Sequence, residues 1–195
     1  LAEVLSGLGF CAEKIVVDSG STDATLEIAR ASGCRVFERP FDDYASQKNF
    51  AVSKAVSGWV LSVDADEVVP RRLADEIRAR IGADAARFAA YRIPRSTIFL
   101  GRRLRFGGHQ SDRPVRLFRK DLAVFEGAVH ETLRVRGAVA TFRTPLDHHT
   151  TPTVKDYLSK LDRYTDLEVR TLAASGRTLA PASLAWRPAG RFCQK

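Results

Sequence analysis

Short hydrophobic runs alternate with amphipathic stretches over the first 90 residues, a pattern typical of alternating strands and helices. The runs at 15–17 and 59–63 predict strands, and Ser21 or Thr22 is the expected cap of the helix that follows the first strand. The other predicted elements are a strand at 35–37 and helices at 24–31, 45–56 and 71–81. Strand–helix alternation at this spacing indicates a parallel α/β sheet.

The second half of the chain has a different pattern. A glycine- and arginine-rich loop at 101–112 separates two predicted strands, and a long helix at 154–174 has apolar residues at helical spacing. The strands predicted here cover residues 91–93, 115–118, 129–136 and 138–146. Uninterrupted apolar runs stay short of eighteen residues, so the sequence predicts no membrane-spanning helix within this segment.

Charge is distributed unevenly along the 195 residues, whose formal net charge is +8. Residues 1–90 contain 11 basic and 14 acidic side chains, whereas residues 91–195 contain 20 and 9. A basic segment of this kind requires an anionic partner, which leaves DNA, RNA, an anionic membrane and a phosphorylated small molecule open. The three cysteines (Cys11, Cys34 and Cys193) include no CxxC pair, which favours a reducing compartment over a disulfide framework or zinc site.

Carboxylates follow two of the predicted strands. Asp64 and Asp66 end the most hydrophobic strand, and Asp18 ends the first. Ligands of open α/β sheets bind at this edge, and paired carboxylates there suit a divalent cation, Mg²⁺ or Mn²⁺, that bridges to substrate phosphates. The alternative interpretation of the Asp64–Asp66 pair is a solvated acidic turn before a helix N-terminus.

Several motifs, in this order, resemble the inverting family 2 glycosyltransferases, and most closely the branch that adds sugars to the lipopolysaccharide inner core. The resemblance extends over residues 13–175. The motifs are VVDSGSTDAT, QKNFA, WVLSVDADE, RLFR, VHE and LDHHT. The resemblance implies the GT-A fold, which is a Rossmann-like α/β fold with a mixed sheet flanked by helices. It also implies a single domain over 1–195. Within that domain, 1–90 would bind the nucleotide sugar, 91–150 would form the acceptor side, and 151–195 the C-terminal helix and tail.

The resemblance also implies a role for individual residues. The catalytic base would be Glu131, for which the alternative is a strand-edge carboxylate paired with an arginine. Metal ligands would be Asp66 and His148. Adjacent strand residues face opposite sides of the sheet, so His149 is not expected at the same site. His130 is expected to have a structural role. The nucleotide-diphosphate sugar donor would be bound by Asp18, Lys48, Asn49 and Asp64, although Lys48 and Asn49 equally suit an exposed helical face.

The implied reaction is inverting, metal-assisted transfer of a sugar to a phosphorylated glycolipid acceptor at the cytoplasmic face of the inner membrane. The acceptor's phosphates would meet an arginine-rich loop with Arg102, Arg103, Arg105 and Arg113, and the helix at 154–174 could rest on an anionic membrane. Alternatives are a nucleic-acid-binding module, which the acidic strand ends disfavour, and a sugar-phosphate nucleotidyltransferase, whose glycine-rich phosphate loop the sequence lacks. Because the chain has no Met and lacks the family's first strand, truncation at both ends is expected.

Overall fold

The computed structural model describes residues 1–84, 86–106, 112–127, 131–151 and 153–174. The described residues within 1–96 and 111–148 form one compact unit, and those within 97–110 and 149–195 form another. The predictions on His130, Cys193 and the tail lie outside the described residues. The division of a single domain into ranges 1–90, 91–150 and 151–195 stays a prediction.

Five α-helices occur in the described residues, and most of the predicted ranges match them closely. The helices are α1 (Ala2–Gly7), α2 (Thr25–Ala31), α3 (Tyr44–Lys54), α4 (Arg71–Asp84) and α5 (Val154–Ala174). The predicted cap of α2 is wrong, because α2 begins after Ala24 and its cap makes no side-chain hydrogen bond. The Ser21 hydroxyl instead donates to Asp18, which holds the preceding loop and delays the helix.

Twelve short strands complete the described structure. In chain order they are β1 (Ile15–Asp18), β2 (Arg35–Glu38), β3 (Trp59–Leu61), β4 (Glu67–Val68), β5 (Ala90–Arg92), β6 (Arg95–Phe99), β7 (Arg102–Arg103), β8 (Val115–Arg119), β9 (Ala123–Glu126), β10 (Thr132–Val135), β11 (Val139–Thr141) and β12 (Leu146–Thr151). The strand predicted at 138–146 is two elements, because β11 ends at Thr141 and β12 begins at Leu146.

Strand pairing in the first unit is mixed rather than uniformly parallel. β1 pairs with β2 in parallel, as the strand–helix alternation predicts. The neighbouring four-stranded sheet has the order β11-β5-β8-β3, and β8 runs antiparallel to both β5 and β3. A short antiparallel contact between β4 and β12 aligns His148 with Glu67, and β9 pairs antiparallel with β10. The family resemblance, which implies a mixed sheet, is therefore the more accurate guide.

The core of the first unit lies between α4 and the four-stranded sheet. Leu73 and Ile77 of α4 are buried against Tyr91 and Leu117, and Tyr91 stacks on Phe142 with ring centroids 4.7 Å apart. A second apolar cluster joins α3 to the sheet through Ala45, Ala90, Phe118 and Phe125. These contacts hold α3 against β8 and β9, and α3 carries several of the predicted site residues.

An apolar cavity of about 820 Å³ separates β1 from β3 in the first unit. Residues of both strands line it, together with apolar side chains of α1 and α3. β1 and β3 run in the same direction. Before both strands, the Glu13 carboxylate accepts the N–H groups of Val56 and Ser57 at 2.7 and 2.9 Å. After them, α3 contacts Ser19 and Asp64. The carboxyl ends of β1 and β3 therefore lie at the same side of this unit.

The second unit is smaller and contains β6 from Thr97 onward, its hairpin partner β7 and the helix α5. Ile98 and Phe99 pair with Arg103 and Arg102, and the tight turn places Leu100 at φ 48° and Gly101 at φ 73°. Phe99 packs edge-on against Tyr157 of α5, with ring centroids 5.5 Å apart. In the part of the chain that the structure describes, no helix combines the length and hydropathy needed to cross a membrane.

Candidate active site

Asp18 lies at the end of β1 and organises the loop that follows it. Its Oδ2 accepts the backbone N–H groups of Gly20 and Ser21, both at 2.8 Å, and its Oδ1 accepts the Ser21 hydroxyl at 2.5 Å. Gly20 has φ +98°, a conformation that glycine adopts without strain. The Ser21 hydroxyl, supported by the Ser21 and Gly20 N–H groups, holds the pKa of Asp18 below its usual value. The carboxylate is thus buried, charged and fixed in orientation.

Asp64 follows β3 and is surrounded by positive charges. Lys48 Nζ lies 3.1 Å from Asp64 Oδ1, while Arg116 donates to Oδ2 and Arg95 Nη2 lies 3.5 Å from the same oxygen. Burial raises the pKa of Asp64, but Arg116 and Lys48 outweigh burial and lower the pKa below its usual value. Cationic side chains of the protein therefore balance the charge of Asp64, unlike that of a carboxylate in a solvated acidic turn.

Asp66 lies in the same turn and faces a different partner. His148 Nε2 is 3.4 Å from Asp66 Oδ2, and the Asp66 side chain is 40% exposed. Burial raises the pKa of Asp66, and the stronger combined effect of His148 lowers it. Among the described residues, no group of three or more His, Cys, Asp and Glu side chains forms a metal site. The pair nevertheless fits an ion such as Mg²⁺ or Mn²⁺ that takes its other ligands from substrate phosphates and water.

Three consecutive residues of α3 each bind a different part of the site. Gln47 Nε2 donates to Ser19 Oγ at 2.7 Å, next to Asp18. Lys48 Nζ lies 2.8 Å from Glu131 Oε1 as well as 3.1 Å from Asp64. Asn49 donates to the Phe125 carbonyl and accepts the Phe125 N–H at 2.8 and 3.0 Å. The amide of Asn49 is thereby committed to β9, which favours a positioning role over donor contact for this residue.

Glu131 comes close to the Asp64–Asp66 turn although it lies far away in sequence. The side chain is 24% exposed and its ion pair is with Lys48, so the partner is a lysine and not the arginine of the alternative interpretation. The helix that presents Lys48 is held against Phe125 of β9 by the Lys48 ammonium, 5.5 Å from the ring centroid, and by Asn49. β9 and its partner β10, which begins at Thr132, carry the backbone on either side of Glu131.

Three charged residues of this site were not assigned a role from the sequence. Glu67 is 0% exposed and contacts both Arg95 and Arg116. Glu67 and Arg116 are visible in the DADE and RLFR motifs, but the motifs do not show that they meet. Arg95 belongs to no motif, and its position is set by the backbone bond from its N–H to the Asp112 carbonyl at 3.0 Å. The missing signal is the strand pairing that brings β8 next to β3.

The arginines predicted to face the acceptor do not form one cluster within a single unit. Arg102 and Arg103 lie on the exposed β7 of the second unit, where Arg105 is also exposed. Arg113 is exposed in the first unit. Their proposed contact with an acceptor remains a prediction for each unit separately.

β1 and β3 run in the same direction and end in fixed carboxylates, and the mixed sheet that contains β3 supplies further charged groups; together they define an α/β protein with a polar ligand site at its strand ends. The chain belongs to the family described as Glycosyl transferase family 2, whose sequence profile matches residues 12–146. This confirms the family that the sequence motifs indicate.

Individual relatives agree with this assignment. An uncharacterized glycosyltransferase of Rickettsia typhi is 28% identical over 184 residues, covering 89% of this chain and 63% of the relative. The lipopolysaccharide core biosynthesis glycosyltransferase LpsC of Rhizobium meliloti is 29% identical over 185 residues, covering 91% of this chain and 68% of LpsC. The chain thus spans somewhat less than two thirds of the length of the Rickettsia relative.

The fold is similar to that of a solved structure. The crystal structure of residues 1–349 of S. aureus TarS matches with a TM-score of 0.54 at 15% identity, covering 75% of this chain and 56% of the TarS chain. At this level of identity the likeness concerns the fold alone, and it supports the predicted GT-A fold.

Proposed function

We propose that this protein transfers a sugar from a nucleotide-diphosphate donor to a glycolipid acceptor with inversion at the anomeric carbon. The observation that carries the proposal is the position of Lys48, whose ammonium lies between Asp64 and Glu131. Through these two contacts, Lys48 joins the candidate donor site at the end of β3 to Glu131, which lies 83 residues further along the chain. A direct displacement requires donor binding and a proton acceptor in one site, and the contacts of Lys48 bring the two candidate carboxylates together.

Glu131 is the proposed general base. In an inverting displacement the acceptor oxygen bonds to the anomeric carbon while its proton passes to the base, and the bond to the diphosphate breaks with its electron pair. Glu131 Oε1 accepts from Lys48, and Oε2, for which the described residues show no contact, would receive that proton. Mutation of such a base removes proton transfer without removing the donor-binding groups.

Asp18 and Asp64 are the proposed donor-binding carboxylates, and Asp66 with His148 are the proposed metal ligands. A bound divalent cation would supply charge stabilisation for the departing diphosphate. Lys48 lies within 3.1 Å of Asp64 and adds positive charge on the same side. Asn49 positions β9 relative to α3 through its two bonds to Phe125.

The acceptor proposed here is a phosphorylated glycolipid of the lipopolysaccharide core type. LpsC, which its name assigns to lipopolysaccharide core biosynthesis, supports this substrate class. The excess of basic residues after position 90 supports an anionic acceptor, for which Arg102, Arg103, Arg105 and Arg113 remain the candidate contacts. Such an acceptor would be reached at the cytoplasmic face of the inner membrane.

Contact with that membrane is proposed for α5. Its apolar residues Val154, Tyr157, Leu158 and Leu161 recur at helical spacing and are between 43% and 58% exposed. Residues 154–174 contain four basic and four acidic side chains, so net charge gives this helix no preference for anionic lipids. The apolar stripe, and not attraction to anionic headgroups, is what supports a membrane contact.

Metal-dependent donor binding tests the proposal directly. Calorimetric titration of nucleoside-diphosphate sugars in the presence of Mn²⁺ should show binding that Asp66→Ala abolishes, because the variant loses the more exposed of the two turn carboxylates. Asp147→Ala is the control, since Asp147 is adjacent to His148 but pairs with Val68 in the strand register. Equal Mn²⁺ dependence in Asp66→Ala and the unmodified protein would exclude Asp66 as a ligand.

A second titration separates this function from binding of nucleic acid. Random-sequence oligonucleotide should bind weakly or not at all at the salt concentration used for the donor. Salt-sensitive oligonucleotide binding stronger than donor binding would contradict the proposal.

A further inference from the structure

Beside the Asp64–Asp66 turn, Glu67 and Arg116 are buried and Arg95 is half-buried, and the proposed mechanism gives none of the three a role on substrate. Glu67 is 0% exposed, and the side chains of Arg116 and Arg95 are 5% and 20% exposed. Charged residues are almost never this buried unless they are paired. All three belong to the first unit, as does Asp64.

Glu67 connects the two arginines to the backbone of the turn. Its Oε1 lies 2.5 Å from Arg116 Nη2 and 2.8 Å from Arg95 Nη2. Its Oε2 accepts the Asp64 backbone N–H at 3.0 Å. The same Nη2 atoms face Asp64 Oδ2, so each guanidinium is shared between Glu67 and Asp64, and Arg95 Nη1 also pairs with Asp112 Oδ2 at 3.0 Å. Glu67 therefore fixes both the turn that bears Asp64 and the cations around that carboxylate.

The two guanidiniums also have donor capacity that the described residues do not use. The Nε atoms of Arg95 and Arg116 are buried and have no hydrogen-bond partner among the described residues. A buried donor without a partner is unfavourable. Buried ion pairs are also weak contributors to stability, because apolar residues of similar size often replace them without loss. Stability alone thus gives little reason for this network, whereas an anionic ligand would use it.

We propose that Arg95 and Arg116 bind the diphosphate of the departing nucleotide, and that Glu67 is a positioning residue that holds them and limits their affinity for it. The inference rests on the proposed glycosyl transfer, which generates that diphosphate. As the sugar–oxygen bond breaks, negative charge accumulates on the diphosphate, and the guanidiniums shift hydrogen bonds from Asp64 to phosphate oxygens. Lys48 keeps Asp64 paired during this shift. Glu67, whose carboxylate contacts both arginines, keeps them from retaining the product.

Binding of inorganic diphosphate, measured by calorimetry without added metal, tests the inference on the protein and two variants. Glu67→Gln preserves the size of the side chain and one accepting oxygen for the arginines, but its NH2 group replaces the oxygen that accepts the Asp64 N–H. One negative charge beside both arginines is lost, so diphosphate should bind roughly tenfold more tightly. Arg95→Gln removes one of the two cations, so diphosphate should bind roughly tenfold more weakly. Arg95→Lys, which keeps the charge, should recover part of the loss. A purely structural role for Glu67 predicts weaker binding in Glu67→Gln.

Glu76→Gln is the matched control. Glu76 also accepts two backbone N–H groups, those of Arg143 and Thr144 at 3.0 Å, but it has no contact with the arginine pair among the described residues. Its diphosphate affinity should match that of the unmodified protein. If Glu67→Gln fails to fold, as judged by its melting curve, the comparison of Arg95→Gln with Arg95→Lys decides alone. Weaker or unchanged binding in Glu67→Gln, or unchanged binding in Arg95→Gln, overturns the inference.

The two proposals fail in distinguishable ways. If diphosphate binding follows the expected pattern while no nucleotide sugar binds, the transferase function is wrong and the anion site stands. If nucleotide sugars bind and are turned over while neither variant changes diphosphate affinity, this inference alone is wrong.

Discussion

At the scale of single residues, neighbouring donors and cations set the charge of each site carboxylate. Asp18 is held by the hydroxyl and N–H of Ser21, Asp64 by Lys48 and two arginines, and Asp66 by His148. The sequence motifs identify all three carboxylates. They do not identify the partners, since Arg95 lies in no motif and Arg116 reaches Asp64 only through strand pairing. Residue types can be predicted locally, whereas ion pairs between distant strands cannot.

The Ser21 hydroxyl should account for much of the depression of the Asp18 pKa. A carboxyl whose folded pKa is lowered contributes stability above its unfolded value of about 3.9, and that contribution disappears as pH falls through the folded value. Ser21→Ala removes the strongest of the hydrogen bonds that lower this pKa. The pKa of Asp18 should therefore rise, and acid unfolding should begin at a higher pH.

Carbon-detected NMR titration of the Asp18 carboxyl, together with acid unfolding followed by circular dichroism, measures both effects. Ser19→Ala is the control, because the Ser19 hydroxyl accepts from Gln47. An Asp18 pKa that is the same in Ser21→Ala and Ser19→Ala would contradict this account of the loop.

At the scale of elements, α3 is the part of the fold on which the site depends most. Gln47 contacts the loop after β1, and Asn49 contacts the backbone of β9. Lys48, between them, contacts both Asp64 in the turn after β3 and Glu131. The helix itself could be predicted from its sequence pattern to within two residues at each end. Its orientation could not, because that depends on the packing of Ala45 against Phe118 and Phe125. The start of α2 was predicted wrongly because the Ser21 hydroxyl binds Asp18 instead of capping the helix.

The apolar stripe of α5 makes a prediction at the same scale. Leu161→Asp places a charge within the stripe and should reduce co-sedimentation with phosphatidylcholine vesicles at least about fivefold. The reason is the large desolvation free energy of moving a charged side chain into the apolar layer. Binding by the unmodified protein should change little when salt is raised or anionic lipid is added, since α5 carries equal numbers of acidic and basic residues.

Ser159→Asp is the control for this experiment, because it adds the same charge to the same helix outside the stripe. Equal losses of vesicle binding in Leu161→Asp and Ser159→Asp would show that the stripe is not the membrane contact. Binding that depends on anionic lipid would show that attraction to headgroups is the cause.

At the scale of the whole molecule, the first unit combines the parallel pair β1 and β2 with a mixed sheet, in which β11 is parallel to β5 and β8 is antiparallel to β5 and β3. Alternation of strands and helices predicts the parallel part, but only the family resemblance predicts the mixed sheet, since pairing between distant strands leaves no local signal. The charge distribution can be predicted from the sequence in full. Much of the positive charge close to the site, however, is internally neutralised, because Arg95 and Arg116 pair with Asp64 and Glu67. The net charge of the chain is therefore a poor guide to the charge available at the candidate donor site.

The central claim is that Glu131 is the base of a glycosyl transfer at the site formed by Asp18, Asp64 and Asp66. The most direct test introduces Glu131→Gln into the full-length protein and measures donor binding and sugar transfer separately. Glu126→Gln is the matched control, because Glu126 is an exposed carboxylate of neighbouring β9 that pairs with Arg134. Both variants should bind the donor normally, and Glu131→Gln should lose about 10²- to 10⁴-fold in turnover while Glu126→Gln retains it. Near-normal turnover by Glu131→Gln would contradict the claim.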